Sequence, residues 1–192
     1  FIYLPQILIM QKRLVLDQTQ ISLTISRFCH QLIENHDDFD NTVLLGLQPR
    51  GALVLDKIIQ RMQEIQNISL KYGYLDATFH RDDFRRRDLP LRANETKIDF
   101  LIENKKVVLV DDVLYKGRSV RAAMDAMIAF GRPQKVELMV LIDRKFTRDF
   151  PIQPDYCGRQ VNTLESQYVS VEWQNKGFEK DAIWITEKES NE

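Results

Sequence analysis

Apolar positions along this chain follow two rhythms that alternate through its middle. Ile21, Ile25, Phe28, Leu32 and Ile33 recur at the three- and four-residue spacing of one helix face. Asp17 followed by Gln20 supplies the start signal for that helix, and residues 14–16 read as a short strand before it. Residues 42–47 form an apolar run that ends in a tight loop over residues 46–51. Helical spacing then returns over residues 52–65 through Leu55, Ile58, Ile59 and Met62. The unit repeats. Residues 106–110 read as a buried strand, residues 111–117 as a loop, and Val120, Ala123, Met124, Met127 and Ile128 as a helix face stopped by Gly131 and Pro133. Residues 136–142 are the next strand, and residues 182–185 the last.

Strand, loop and helix in this order predict an α/β fold with a mostly parallel sheet, whose ligands bind beyond the carboxyl ends of the strands. One long polar stretch, residues 75–105, interrupts the pattern and carries Arg81, Arg85, Arg86 and Arg87 among acidic neighbours. Polar loops of this length are often functional, and it reads as a flexible flap. One domain is expected over residues 10–187, with 188–192 a polar tail. Residues 1–9 read as a non-native or over-extended start without the basic and small-residue flanks of an export signal.

Composition narrows the partners. A net charge of −1 offers no global attraction to nucleic acid or anionic membrane, so any such contact must come from a local patch. Cys29 and Cys157 are too few for a disulfide framework, and no cysteine–histidine cluster is spaced to hold a metal. Reduced thiols and a cytoplasmic location without a membrane span are expected.

The chemistry concentrates in residues 107–119. Asp111 and Asp112 follow a buried strand; Val113, Leu114, Tyr115 and Lys116 lead to Gly117, Arg118 and Ser119 at a helix start. Two acceptor-only carboxylates suit the vicinal hydroxyls of a ribose. Unpaired N–H groups at a helix N-terminus suit a phosphate dianion, with glycine allowing close approach and serine adding a hydroxyl.

This string resembles the phosphoribosyl pyrophosphate (PRPP) signature of type I phosphoribosyltransferases. More narrowly, residues 111–115, 120–126 and 131–133, together with Gly46 to Gly51, Phe79 to Asp83, Leu141 to Arg144 and Pro154 to Tyr156, resemble the pyrimidine operon attenuator/uracil phosphoribosyltransferase family. The resemblance implies the type I phosphoribosyltransferase fold, with a flexible flap and a small hood. It also implies transfer of phosphoribose from PRPP to uracil, giving UMP and pyrophosphate, with Mg²⁺ accompanying PRPP. By position, Asp111 and Asp112 would hold the ribose and Tyr115 to Ser119 the 5′-phosphate. Gln48, Pro49, Arg50 and Gly51 would form the pyrophosphate loop, and the flap arginines would close over pyrophosphate. Arg144 and Val169 fall at base or nucleotide positions. Some family members bind leader mRNA, which would place His30, Arg148 and Arg159 on an RNA face beside Ser26. The resemblance further implies a homo-oligomer.

Four positions depart from the family pattern. Lys116 replaces a threonine, Gln48-Pro49 replaces a basic residue and threonine, and Gln153 replaces an arginine. Pro49 lacks a backbone N–H, so weaker pyrophosphate binding is expected. An active uracil enzyme, a catalytically weak RNA-binding nucleotide sensor and a transferase for another base are the three readings left open.

Overall fold

The computed structural model describes residues 12–66, 68–82 and 93–187. The chain divides into two compact units, one holding residues 23–162 and the other the segments on either side. In the smaller unit, β1 (Arg13–Leu16) pairs antiparallel with β8 (Ala182–Glu187), which pairs antiparallel with β7 (Gln167–Glu172). Helix α1 (Gln18–His36) begins in this unit. Asp17 Oδ1 accepts the backbone N–H of Gln20 at 2.8 Å while the Gln20 side chain accepts the Asp17 N–H at 3.1 Å, the reciprocal cap its sequence predicts.

The larger unit is built on a five-stranded parallel sheet. Its strands are β2 (Thr42–Leu47), β3 (Lys71–Leu75), β4 (Lys106–Leu114), β5 (Lys135–Lys145) and β6 (Tyr156–Asn162), in the order β3-β2-β4-β5-β6. Helix α2 (Arg50–Ile65) packs on β2 and β4, and α3 (Arg118–Met127) follows β4. Both faces of the central strands are covered, so β2 and β4 are nearly continuous apolar runs, as parallel strands require. Val43, Leu45, Val107 and Leu109 point to one face and pack with Val120, Ala123 and Met127 of α3.

Two sequence expectations shift here. Strand β4 runs through Asp111 and Asp112 to Leu114, because its pairing with β5 continues past both carboxylates, so the loop is only Tyr115–Gly117. Helix α3 buries its small residues Ala122, Ala123 and Ala126, leaving Met124 37% and Ile128 66% exposed, Ile128 having passed into a 3₁₀ turn. Neither Met124 nor Ile128 is core.

At the amino-terminal side of the sheet the His36 ring is buried between Thr42 Oγ1, 3.0 Å from Nδ1, and Glu137 Oε2, 3.0 Å from Nε2. The Tyr156 hydroxyl donates to the same Glu137 oxygen at 2.9 Å. Burial lowers the His36 pKa, and the attraction of Glu137 offsets this only in part. A base with a depressed folded-state pKa contributes stability that is complete above its unfolded value and is lost as pH falls through it. The urea midpoint should therefore drop as pH is lowered from 8 through the ordinary histidine value of 6.5, and His36→Gln should flatten that slope. An unchanged slope in the variant would assign the acid sensitivity elsewhere.

Candidate functional site

The site begins where β4 ends. Asp111 and Asp112 are 9% and 4% exposed, which places two carboxylates in a region that disfavours charge. Asp111 Oδ1 accepts the Asp112 backbone N–H at 2.9 Å, and Asp112 Oδ1 accepts that of Val113 at 2.7 Å. Asp112 Oδ2 is buried with no partner in the protein. Burial raises the Asp111 pKa well above the usual range, and the Asp112 charge adds to the rise. Burial also raises that of Asp112, against the pull of Arg50.

Arg50 is near because Gly51 has no side chain. A Cβ on Gly51 would meet the Val110 carbonyl oxygen at 2.2 Å and the Asp111 Cα at 2.9 Å, so glycine lets the start of α2 press against the end of β4. Before it, the Gln48–Pro49 peptide is cis. Gln48 donates its backbone N–H to Leu75 O at 2.9 Å and its side-chain amide to Glu95 O at 3.0 Å. The segment Gln48 to Gly51 is thus anchored between β3 and β4.

On the other side, Gly117 adopts a φ of 86° and opens α3, whose first turn has no side-chain cap. Uncapped N–H groups at a helix start form an anion site. A pocket of about 410 Å³ lies against it, lined by Asp111, Tyr115, Lys116, Gly117, Ser119 and Arg81 among others. The buried carboxylate of Asp111, a glycine turn and an open helix start therefore share one pocket edge.

Comparison with known proteins gives the family. Residues 14–179 match the family described as Phosphoribosyl transferase domain. The chain belongs to that family. Within this family, it is 42% identical over 169 residues to a protein of Acetivibrio thermocellus named Bifunctional protein PyrR, covering 88% of this chain and 89% of the relative. A protein of the same name from Clostridium novyi is 39% identical over 178 residues, covering 92% and 98%. The chain is a member of the PyrR family. Two solved structures share the fold. A hypoxanthine phosphoribosyltransferase of Staphylococcus aureus superposes with a TM-score of 0.66 at 16% identity, over 89% of this chain and 90% of that one. The hypoxanthine phosphoribosyltransferase of Trypanosoma cruzi gives 0.69 at 13%, over 92% and 97%.

Around the phosphoribosyltransferase loop the remaining sequence candidates divide. Lys116 Nζ leans toward Asp149 Oδ2 at 3.8 Å. Arg118 donates to the same Asp149 oxygen at 2.7 and 3.0 Å, also bonds Asp82, and lies over the Phe150 ring at 5.6 Å. Arg144 is buried with its guanidinium 3.9 Å from the Tyr115 ring centroid. Val169 is buried within β7 of the smaller unit. Arg81 reaches Ser119 Oγ at 3.1 Å, whereas Arg85, Arg86 and Arg87 lie outside the described residues.

The three residues expected on an RNA face have different surroundings. His30 is exposed on α1 and Arg159 on β6. Arg148 instead points inward. It donates to the carbonyls of Ile152 (3.1 Å), Leu114 (3.2 Å), Arg144 (3.0 Å) and Tyr115, and bonds the Asp143 carboxylate. One guanidinium thus ties the loop after β4 to the segment after β5. Sequence reading missed this brace and the part played by Asp149. Both join residues about thirty apart in the chain, which no local pattern records.

The buried carboxylates oppose folding when ionised and favour ligand hydroxyls when one is present. Asp111→Asn/Asp112→Asn should therefore raise the urea midpoint of the free protein near pH 8 and weaken UMP binding about tenfold or more. Calorimetric affinity for UMP equal to that of the unsubstituted protein would remove the pair from the ligand site.

Proposed function

We propose that the protein transfers the phosphoribosyl group of PRPP to N1 of uracil, giving UMP and pyrophosphate, and that its UMP site also serves pyrimidine-gene regulation. The observation that carries this reading is the buried carboxylate of Asp111 in the pocket at the open start of α3, with an unpartnered, buried oxygen on the adjacent Asp112. A buried acceptor without a partner costs roughly 1–3 kcal/mol, and a ribose hydroxyl supplies the missing donor. The 5′-phosphate then rests on the turn from Tyr115 to Ser119, and the pyrophosphate lies toward Gln48 to Gly51, with Arg50 as its cation.

In this reaction the C1–oxygen bond to pyrophosphate breaks as the bond to uracil N1 forms, and the N1 proton is lost. Positive charge develops on the ribose during transfer, and the two carboxylates beside it stabilise that charge. Mg²⁺ enters as part of the PRPP substrate, where it neutralises pyrophosphate. The carboxylate oxygens of the site are of the hard-donor type that such a cation accepts. Among the described residues no group of three or more candidate ligands gathers to hold a metal. Arg144, stacked on Tyr115, is proposed to bound the base. Among the described residues, no helix is long and apolar enough to cross a membrane. We place the enzyme in the cytoplasm as a homo-oligomer.

For leader mRNA, the exposed His30 and Arg159 are the proposed contacts, because the Arg148 guanidinium is taken up by backbone carbonyls. Filter binding to a pyrimidine-leader hairpin should tighten with UMP and weaken in His30→Ala/Arg159→Ala. Equal binding to a scrambled hairpin would remove the RNA partner.

The enzyme reading is tested by incubating the protein with PRPP, Mg²⁺ and uracil, hypoxanthine, guanine or adenine, and following nucleotide formation. UMP should form from uracil with stoichiometric pyrophosphate. Turnover of a purine base would reassign the substrate. Tight UMP binding without any turnover would leave the nucleotide sensor alone.

A further inference from the structure

Among the described residues three cations, Arg81, Lys116 and Arg118, line the pocket at the turn from Tyr115 to Ser119, and their contacts differ. Arg118 is occupied twice over by Asp149 and once by Asp82, and its guanidinium lies over Phe150. Lys116 is drawn toward the same Asp149 carboxylate. Both are turned to the acidic side chain rather than to the hydroxyl at the helix start. Arg81 differs. Its Nη1 donates to Ser119 Oγ at 3.1 Å, and it lines the same pocket as Tyr115, Gly117 and Ser119.

From this placement we infer that Arg81 is a ligand of the nucleotide 5′-phosphate, not of pyrophosphate. The inference rests on the reading of this pocket as the nucleotide site. A phosphate seated on the α3 N–H groups and on Ser119 Oγ is one hydrogen-bond length from the atom that Arg81 already contacts. A guanidinium presents five donors in a rigid fork, so it can hold a serine hydroxyl and a phosphate oxygen together.

Local structure supports this placement. Asp76 accepts the Thr78 N–H at 2.6 Å and also bonds the Asn94 N–H, while Thr96 Oγ1 faces the Asp76 N–H at 3.1 Å. The His80 N–H donates to Ala77 O at 3.1 Å, forming the 3₁₀ turn from which Arg81 emerges. This turn packs on α3. Arg81 is therefore delivered to the start of α3 by ordered backbone. Its place in the chain, ahead of the other flap arginines, suggests a role over pyrophosphate; the geometry gives it a different phosphate.

Three ligands separate the two assignments. UMP carries the 5′-phosphate, uridine lacks it, and magnesium pyrophosphate occupies only the other subsite. By calorimetry, Arg81→Ala should weaken UMP about 10- to 100-fold, the range for a charge-assisted contact, and leave uridine and pyrophosphate unchanged. Arg81→Lys should recover part of the loss, since it keeps the charge but not the fork. Unchanged UMP affinity, an equal loss for uridine, or a loss confined to pyrophosphate would each overturn the assignment. Failure of the unsubstituted protein to bind UMP would instead overturn the nucleotide-site reading, and this inference with it.

Discussion

Two adjacent carboxylates at the end of a buried parallel strand set the terms for the rest of the site. Taking an ionised carboxylate out of water costs several kcal/mol even after relaxation, and a second one beside it adds repulsion. The fold offsets part of this with the backbone N–H groups of Asp112 and Val113, which donate to the Asp111 and Asp112 carboxylates, and with the charge of Arg50. The last of these depends on Gly51, since any side chain there would collide with Val110 and Asp111. What remains uncompensated is one oxygen of Asp112, which in the proposed function gives a ligand hydroxyl its advantage. Stability and binding therefore pull in opposite directions at this pair.

The proposed phosphate side has a different requirement, which is shape. A helix start binds an anion only if the turn before it is held open and uncapped. Gly117 provides the left-handed turn, and Arg148 fixes the chain leading into it through the Leu114 and Tyr115 carbonyls. Asp149 draws Arg118 and Lys116 to one side. Arg148 and Asp149 both belong to a segment that follows β5, so the turn's geometry is set by residues remote in sequence.

That remoteness explains what could be read in the chain beforehand. Strands β2 and β4 and helices α1, α2 and α3 were legible because burial on one or both faces imposes a periodicity. The carboxylate pair, the glycine and the serine were legible because they are contiguous. Strands β3 and β6 were not. β3 begins Lys71-Tyr72-Gly73, and β6 carries Gly158, Arg159 and Gln160; each lies at a sheet edge, where one side meets solvent and polar residues are tolerated. Met124 and Ile128 misled for the opposite reason. The buried stripe of α3 runs through Val120, Ala122, Ala123, Ala126 and Met127, and Met124 and Ile128 fall outside it. Arg148 looked like a surface cation because nothing in its neighbours records four carbonyls converging on it.

The central claim is spatial: one ligand joins the end of β4 to the start of α3, and both features exist to hold it. A crystal structure of the protein with UMP bound measures this most directly. The account predicts ribose hydroxyls within hydrogen-bond distance of Asp111 and Asp112, and the phosphate on the N–H groups and hydroxyl of Gly117 to Ser119. UMP seated elsewhere, or bound with its ribose out of reach of both carboxylates, would contradict it.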